Sequence, residues 1–168
     1  MPLKIHLRKG QKIIINGAVL ENTSSHNVSL LVKNNAAILR DDDILTPEEA
    51  VTPASRTYYA LQCLYLFPEK AKFHSSSFKE FLDNYVEAAP SSRKLADDLM
   101  QLVDEKKLYQ ALKKGQEMIA HEHKVLFHVQ KRVSEKLRGS PPAGKPEANR
   151  GLGADPGGRP DEGGAGVD

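Results

Sequence analysis

Cysteine occurs once in the 168 residues, at Cys63, so no intrachain disulfide can form and the chain suits a reducing compartment. Cys63 sits in the apolar run Leu61–Phe67, which predicts a buried structural thiol rather than a nucleophile. No apolar run approaches the length of a membrane span, and the N-terminus lacks the apolar core of a signal peptide, so a cytoplasmic protein is expected. Ahead of residue 139 glycine is confined to Gly10, Gly17 and Gly115. The later glycines are followed by neither Lys-Ser/Thr nor a helix, which excludes a phosphate-binding glycine loop. No internal repeat is present.

The last thirty residues, 139–168, hold nine of the twelve glycines and five of the ten prolines, with only Leu152 and Val167 as sizeable aliphatics. Such a segment cannot bury enough apolar surface to offset chain entropy and is expected to be disordered. The remaining 138 residues suit one domain, 1–138, with a β-rich module at 1–45 and a helical module at 46–138. The formal net charge is +2, but its distribution says more. Residues 1–39 carry Lys4, Arg8, Lys9, Lys12 and Lys33 against Glu21 alone, while acidic residues gather later, at Asp41–Asp43, Glu48-Glu49, Asp97-Asp98 and Asp104-Glu105. A solvated charged surface and a face for a polyanion both fit that pattern.

Leu3, Ile5 and Leu7 alternate with Lys4, His6 and Arg8, the period-2 pattern of a strand with one buried face. A turn at Lys9-Gly10 leads to a strand over 12–15, the hairpin turn Asn16-Gly17 and a return strand over 18–21. A polar loop over 22–27, a strand over 28–33, a turn at Asn34-Asn35 and a short strand over 37–39 complete a meander or small open barrel with local antiparallel pairing. Thr46-Pro47-Glu48-Glu49 carries a capping signal, and Thr52-Pro53 repeats it; one short turn and then a helix from Pro53 to about Phe67 are expected. Ser77-Phe78-Lys79-Glu80 predicts a helix start, with Phe78, Phe81, Leu82, Tyr85 and Val86 on its stripe. Pro90 ends that helix, and Ser91 or Ser92 caps another that buries Leu95, Leu99, Leu102 and Val103. The final helix runs from about Leu108 to Leu137 along Leu108, Leu112, Gly115, Ile119 and Leu126, its last basic turns projecting into solvent. Strands followed by helices make the chain α+β: a small antiparallel sheet, then a helical bundle.

No group of residues reads as catalytic. His121 and His123 lie roughly 200° apart around a helix and cannot share an ion. Asp41–Asp43 lacks the glycine and terminal glutamate of a calcium loop and reads as a solvated linker, with Asp43 favoured by a following helix N-terminus. Ser75–Ser77 has no partner pattern for nucleophilic catalysis. No metal, cofactor or enzymatic activity is expected. If Leu3, Ile5 and Leu7 face the core, Lys4, His6 and Arg8 share the opposite face, with Lys9 and Lys12 flanking the adjoining turn. Phosphates would be drawn there, and Tyr58 or Tyr59 would add a stacking ring if exposed. Arg56, just inside the helix, faces either a phosphate or, by default, Glu48 or Glu49. Lys4, His6, Arg8, Lys9, Lys12 and Arg56 are therefore the candidates for contact with an RNA, against the alternative of solvated cations on the outer face of a sheet.

The opening 1–7, the run 12–19 with Asn16-Gly17-Ala18-Val19, and Ala37-Ile38-Leu39-Arg40 resemble the FlbT family of bacterial flagellar regulators. So do Thr52-Pro53-Ala54 with Arg56 and Tyr58, Gln62 with Leu64-Tyr65-Leu66, and 109–113; the resemblance spans about residues 1–125. It implies a post-transcriptional regulator that binds the 5′ untranslated region of flagellin messenger RNA, represses translation and promotes decay of that message. Some members of that family act as activators. The family's helix start carries two adjacent basic residues where this chain has Ser55-Arg56, and its late helix an arginine where this chain has Gln116. By architecture alone, the strands are also similar to small RNA regulators of the carbon-storage type, which dimerise through their strands; a homodimer sharing sheet edges follows as an expectation. The rival expectation is an adaptor that holds a flagellar regulatory protein through its helical module.

Overall fold

The computed structural model describes residues 2–139. Five strands precede four helices: β1 (Leu3–Leu7), β2 (Lys12–Ile15), β3 (Ala18–Glu21), β4 (Val28–Val32) and β5 (Ile38–Arg40), then α1 (Pro53–Leu66), α2 (Ala71–Ala88), α3 (Arg93–Asp104) and α4 (Leu108–Gly139). The α+β class follows from this order. The expectation for the tail lies outside the described residues, apart from Gly139, the last residue of α4.

The strands do not form one meander. They build two small antiparallel sheets, β1 with β4 and β3-β2-β5, so only the β2–β3 hairpin is a local pairing. The run Ile13-Ile14-Ile15 explains why. Ile13 packs with Ile5 and Leu7 in a core inside the β module, whereas Ile14 joins Leu39 in the main core against the helices. A strand apolar on both faces has to sit between two layers, and a one-sided meander would have left one face in water. At the β2–β3 turn Asn16 and Gly17 both take positive φ, 50° and 83°, the backbone that a two-residue hairpin requires. A Cβ on Gly17 would lie 2.6 Å from the Phe67 ring, so this turn is also where the hairpin rests on the helices.

Asn22 holds the two sheets together. It is buried, its side-chain amide donates to the carbonyls of Leu7 and His26, and its side-chain oxygen accepts from the Ser24 amide and hydroxyl. The loop 22–27 is thereby ordered by one residue with all its polar atoms in use.

α1 begins as expected. Thr52 and Ser55 form a reciprocal capping box and Pro53 occupies the first turn. The side chain of Glu122, reaching across from α4, also accepts from the Ala54 amide at 3.0 Å, which satisfies one of the free amides of the first turn of α1. α1 is the central helix, packed against both α2 and α4. Gly115 lets α4 approach it closely: a Cβ there would lie 2.9 Å from the Tyr58 ring.

Three expectations change. α2 starts at Ala71, fed by a 3₁₀ turn over Pro68–Lys70, so Ser77 is inside the helix and not its cap. The serines are tolerated there because the hydroxyl of Ser76 bonds back to the Lys72 carbonyl one turn earlier. Ser92 precedes α3, but its hydroxyl donates to the Ala89 carbonyl and caps nothing. On α4 the buried side is Ala111, Leu112, Gly115, Met118 and Glu122, while Leu126 is half in water because the bundle has ended by that turn. α3 stops in a Schellman turn: Lys107 donates to the Leu102 carbonyl and Lys106 to that of Val103, with Lys106 in the left-handed region.

Candidate nucleic-acid interface

β1 presents its side chains as its alternation predicts. Ile5 and Leu7 are buried, and Lys4, His6 and Arg8 are exposed on the other face. Leu3 departs from the pattern: it is exposed because nothing packs over the first residue of the strand.

A groove of about 430 Å³ opens at the end of β1, where β1, β2 and the end of β5 converge. His6, Arg8, Lys12 and Arg40 line it, together with Asp41 and Asp42. Local structure fixes each of them. The imidazole Nδ1 of His6 is 2.9 Å from the Ser29 hydroxyl on β4, its partner in register. The Arg8 amide donates to the Gln11 side chain, which closes the turn at Lys9-Gly10 and leaves the guanidinium outside it. The Lys12 amide donates to the Asp41 carboxylate at 3.0 Å, tying the start of β2 to the 3₁₀ turn Asp41–Asp43. Arg40 stands opposite Ile13 in the β2–β5 ladder, one residue along from Lys12, and both line the groove.

Among the described residues none of Lys4, Arg8, Lys9, Lys12 or Arg40 belongs to an ion pair. The two carboxylates partly offset three permanent cations, so the groove keeps an excess of positive charge. Its edges are wet, and its field is therefore screened by salt.

Of the six nominated residues the structure brings together His6, Arg8 and Lys12. Lys4 lies on the outer face of β1 beyond the groove, and Lys9 projects from the turn. Arg56 is elsewhere: it makes no ion pair with Glu48 or Glu49, and its Nε donates instead to the Ala50 carbonyl at 3.3 Å. Glu49 is occupied locally, accepting from the Thr46 amide, which holds its carboxyl below the usual carboxylate range. Arg40 is the groove residue that sequence reasoning passed over. Its position became visible only with the β2–β5 register.

The segment joining the modules is clamped. Gln62 of α1 donates to the Leu45 carbonyl and accepts from the Leu45 amide, both at 2.9 Å. The Tyr58 hydroxyl donates to the Asp43 carbonyl at 2.6 Å, and the Asp43 carboxylate accepts from Lys113 at 2.8 Å and from Gln116 at 2.6 Å. Asp43 thus serves α4 and not the N-terminus of a following helix. Lys113 is held above the usual lysine range, by its hydrogen bond to that carboxylate first, with desolvation opposing and the carboxylate's charge adding to the rise. The Tyr58 ring is buried and so unavailable to a base; burial also pushes its phenol pKa up, with the Asp43 charge adding to it. Gln116 and Ser55 are both turned inward: one into the clamp, the other into the α1 capping box. Cys63 is buried, and burial raises its thiol pKa, as its apolar surroundings suggest. His121 packs on Tyr85, its Nδ1 2.8 Å from the phenol oxygen, while His123 is exposed. Among the described residues no helix is long and apolar enough to cross a membrane.

The family described as Flagellar protein FlbT matches residues 3–126, which includes both sheets, the clamp and the bundle. The chain belongs to the FlbT family. It is 36% identical over 148 residues to the probable flagellum biosynthesis repressor protein FlbT 1 of Bradyrhizobium diazoefficiens, covering 88% of this chain and 92% of the relative. It is 33% identical over 131 residues to the probable flagellum biosynthesis repressor protein FlbT of Caulobacter sp. strain K31, covering 77% and 99%. The flagellum biosynthesis repressor protein FlbT of Caulobacter vibrioides is 32% identical over 136 residues, covering 80% and 96%. No solved structure matches the chain. The FlbT match ends at residue 126, close to the point at which α4 leaves the bundle, so the exposed distal turns lie beyond it.

Proposed function

We propose that the protein regulates flagellum biogenesis after transcription, binding the 5′ untranslated leader of flagellin messenger RNA and repressing it. Its relatives are named as repressors of flagellum biosynthesis, and the groove supplies a means. The observation that carries the reading is that Arg8, Lys12 and Arg40, with His6, share one groove and that among the described residues no ion pair holds any of the three cations. Occupancy of the leader would mask ribosome loading or expose the transcript to nucleases; neither outcome needs catalysis.

Association of this kind is driven by counterion release, so affinity should fall steeply with salt, by about 0.7 in logarithmic slope for each cation engaged on a single strand. Filter binding of a flagellin leader across a salt series tests this. Changing Arg8, Lys12 and Arg40 together to alanine is expected to lower the slope by roughly 2. An unchanged slope, or wild-type affinity indifferent to salt, overturns the reading. The chain has no tryptophan and five tyrosines, so RNA carried through purification would dominate its ultraviolet spectrum.

Two partner readings accompany it. β3 is an edge strand with all four residues exposed, Val19 and Leu20 among them, and it is the edge on which a homodimer would form. Sedimentation should then give twice the chain mass, falling to monomer when Val19 is changed to lysine; a monomer at micromolar concentration removes the dimer. The adaptor reading draws on distal α4, where Leu126, Phe127, Val129, Val133 and Leu137 are exposed amid Lys131, Arg132 and Arg138. It is favoured if RNA never accompanies the protein and a flagellar protein does.

A further inference from the structure

The helical module carries a second cleft, of about 440 Å³, between α1 and α2. Arg56 and Tyr59 line it from α1, Phe73 and His74 from α2, and Cys63 lies at its edge. Three features set it apart from ordinary bundle surface. Phe73 is 69% exposed although its ring meets that of His74 edge-on, centroids 5.3 Å apart, within the part of α2 that precedes its buried stripe. The Nε2 of His74 is buried and has no hydrogen-bond partner among the described residues, a rare state for a polar atom and one that a bound group would relieve. Arg56 is exposed and held by Nε alone on the Ala50 carbonyl, so among the described residues its terminal amino groups have no partner.

We propose that this cleft is a nucleobase subsite that takes one unstacked base of the strand whose phosphates lie in the groove; it rests on the RNA reading above. A base has the two surfaces the cleft asks for. Its flat face stacks on a phenylalanine ring or a guanidinium plane, and its edge carries donors and acceptors for His74 and the free arms of Arg56. An apolar side chain would cover Phe73 but leave the imidazole nitrogen unpaired. The two sites also lie within reach of one strand. Asp42 lines the groove and Pro47 lines the cleft, and five residues of chain span no more than about 18 Å. The clamp on Asp43 and Leu45 fixes that separation. Arg56, isolated from the other nominated cations, thereby acquires a part in the same recognition.

Fluorescence anisotropy with a single-stranded flagellin-leader oligoribonucleotide tests this, using the full chain and two variants, Phe73→Ala and Phe73→Trp. Phe73 is exposed, so neither change disturbs the core. Phe73→Ala is expected to weaken binding about tenfold with the salt slope unchanged, and Phe73→Trp to restore it. An oligomer lacking one base, with the gap moved along the strand, should lose a similar factor at one position in the wild type and nothing in Phe73→Ala. Equal affinities for all three proteins and a flat abasic scan overturn the subsite. In that case the salt slope and its loss in the Arg8, Lys12 and Arg40 variant would still stand, so the groove survives separately. RNA binding untouched by Phe73→Ala while a captured flagellar protein is lost would also overturn it, in favour of a protein in the cleft. A wild type that binds no RNA removes both.

Discussion

Replacing Phe78 by alanine is expected to lower unfolding free energy by about 3–5 kcal/mol, read as a shift of the urea midpoint at constant slope. Phe78 is fully buried in the main core, on the stripe with Leu82 and Tyr85 that seats α2 against α1. Removing the ring loses its transfer free energy and leaves a cavity whose walls belong to two helices and can close only partly. A domain this size has on the order of 5–15 kcal/mol in total, so the variant should sit near the edge of folding at 37 °C. Phe73→Ala is the internal control: same helix, same residue types, but an exposed ring, and a change expected within about 0.5 kcal/mol. Equal shifts for the two would mean that the face of α2 turned to the core is misassigned.

That pair of phenylalanines also marks how far sequence could go. Phe78, Leu82 and Tyr85 repeat at helical spacing, and the periodicity alone placed them inside. Nothing local told Ser77 apart from a cap, because Ser-Phe-Lys-Glu has the capping pattern whether or not a helix already runs through it. The decision was made upstream, by Pro68 ending α1 and starting the turn that feeds α2. The strands were legible for a similar reason: Asn16-Gly17 and the alternation over 3–8 are local signals. Their pairing was not. β1 with β4 and β2 with β5 join residues separated by long loops, and the clue was Ile13-Ile14-Ile15, a run apolar on both faces that a one-sided meander could not satisfy.

The site follows the same division. His6 and Arg8 came from period 2 on one strand, and Lys12 from its nearness to the turn. Arg40 enters only through the β2–β5 ladder, and Lys4 and Lys9 lie outside the groove because sharing a face or a turn does not by itself converge on one. Pairing Arg56 with Glu48 or Glu49 was reasonable by sequence distance. It failed because Glu49 turns back to the Thr46 amide and the Arg56 side chain meets the Ala50 carbonyl instead. The clamp was invisible: a glutamine on a helix gives no sign that it will hold the backbone of a residue seventeen positions away.

Gln62 is where that invisibility has the largest consequence. Its side chain is buried and holds both polar groups of the Leu45 backbone, as a neighbouring strand would. Gln62→Leu fills the same space but leaves an amide and a carbonyl without partners at a half-buried position, and is expected to cost about 2–4 kcal/mol. Gln62→Glu discriminates further. An ionised carboxylate still accepts from the Leu45 amide but turns a second oxygen toward the Leu45 carbonyl, whereas the protonated acid donates to it. Burial and that carbonyl both favour the protonated form, so the folded-state pKa lies above the unfolded value of about 4.3. Stability should then be near wild type below pH 4 and decline as pH rises through the raised value, the reverse of an ordinary surface glutamate. The segment these bonds hold carries Asp41 and Asp42 of the groove and Pro47 of the cleft. RNA affinity should therefore fall in Gln62→Leu while the salt slope, set by the cations, stays put. Wild-type stability in Gln62→Leu, or a Gln62→Glu protein indifferent to pH between 4 and 7, would show that the linker is held by the Asp43 contacts alone.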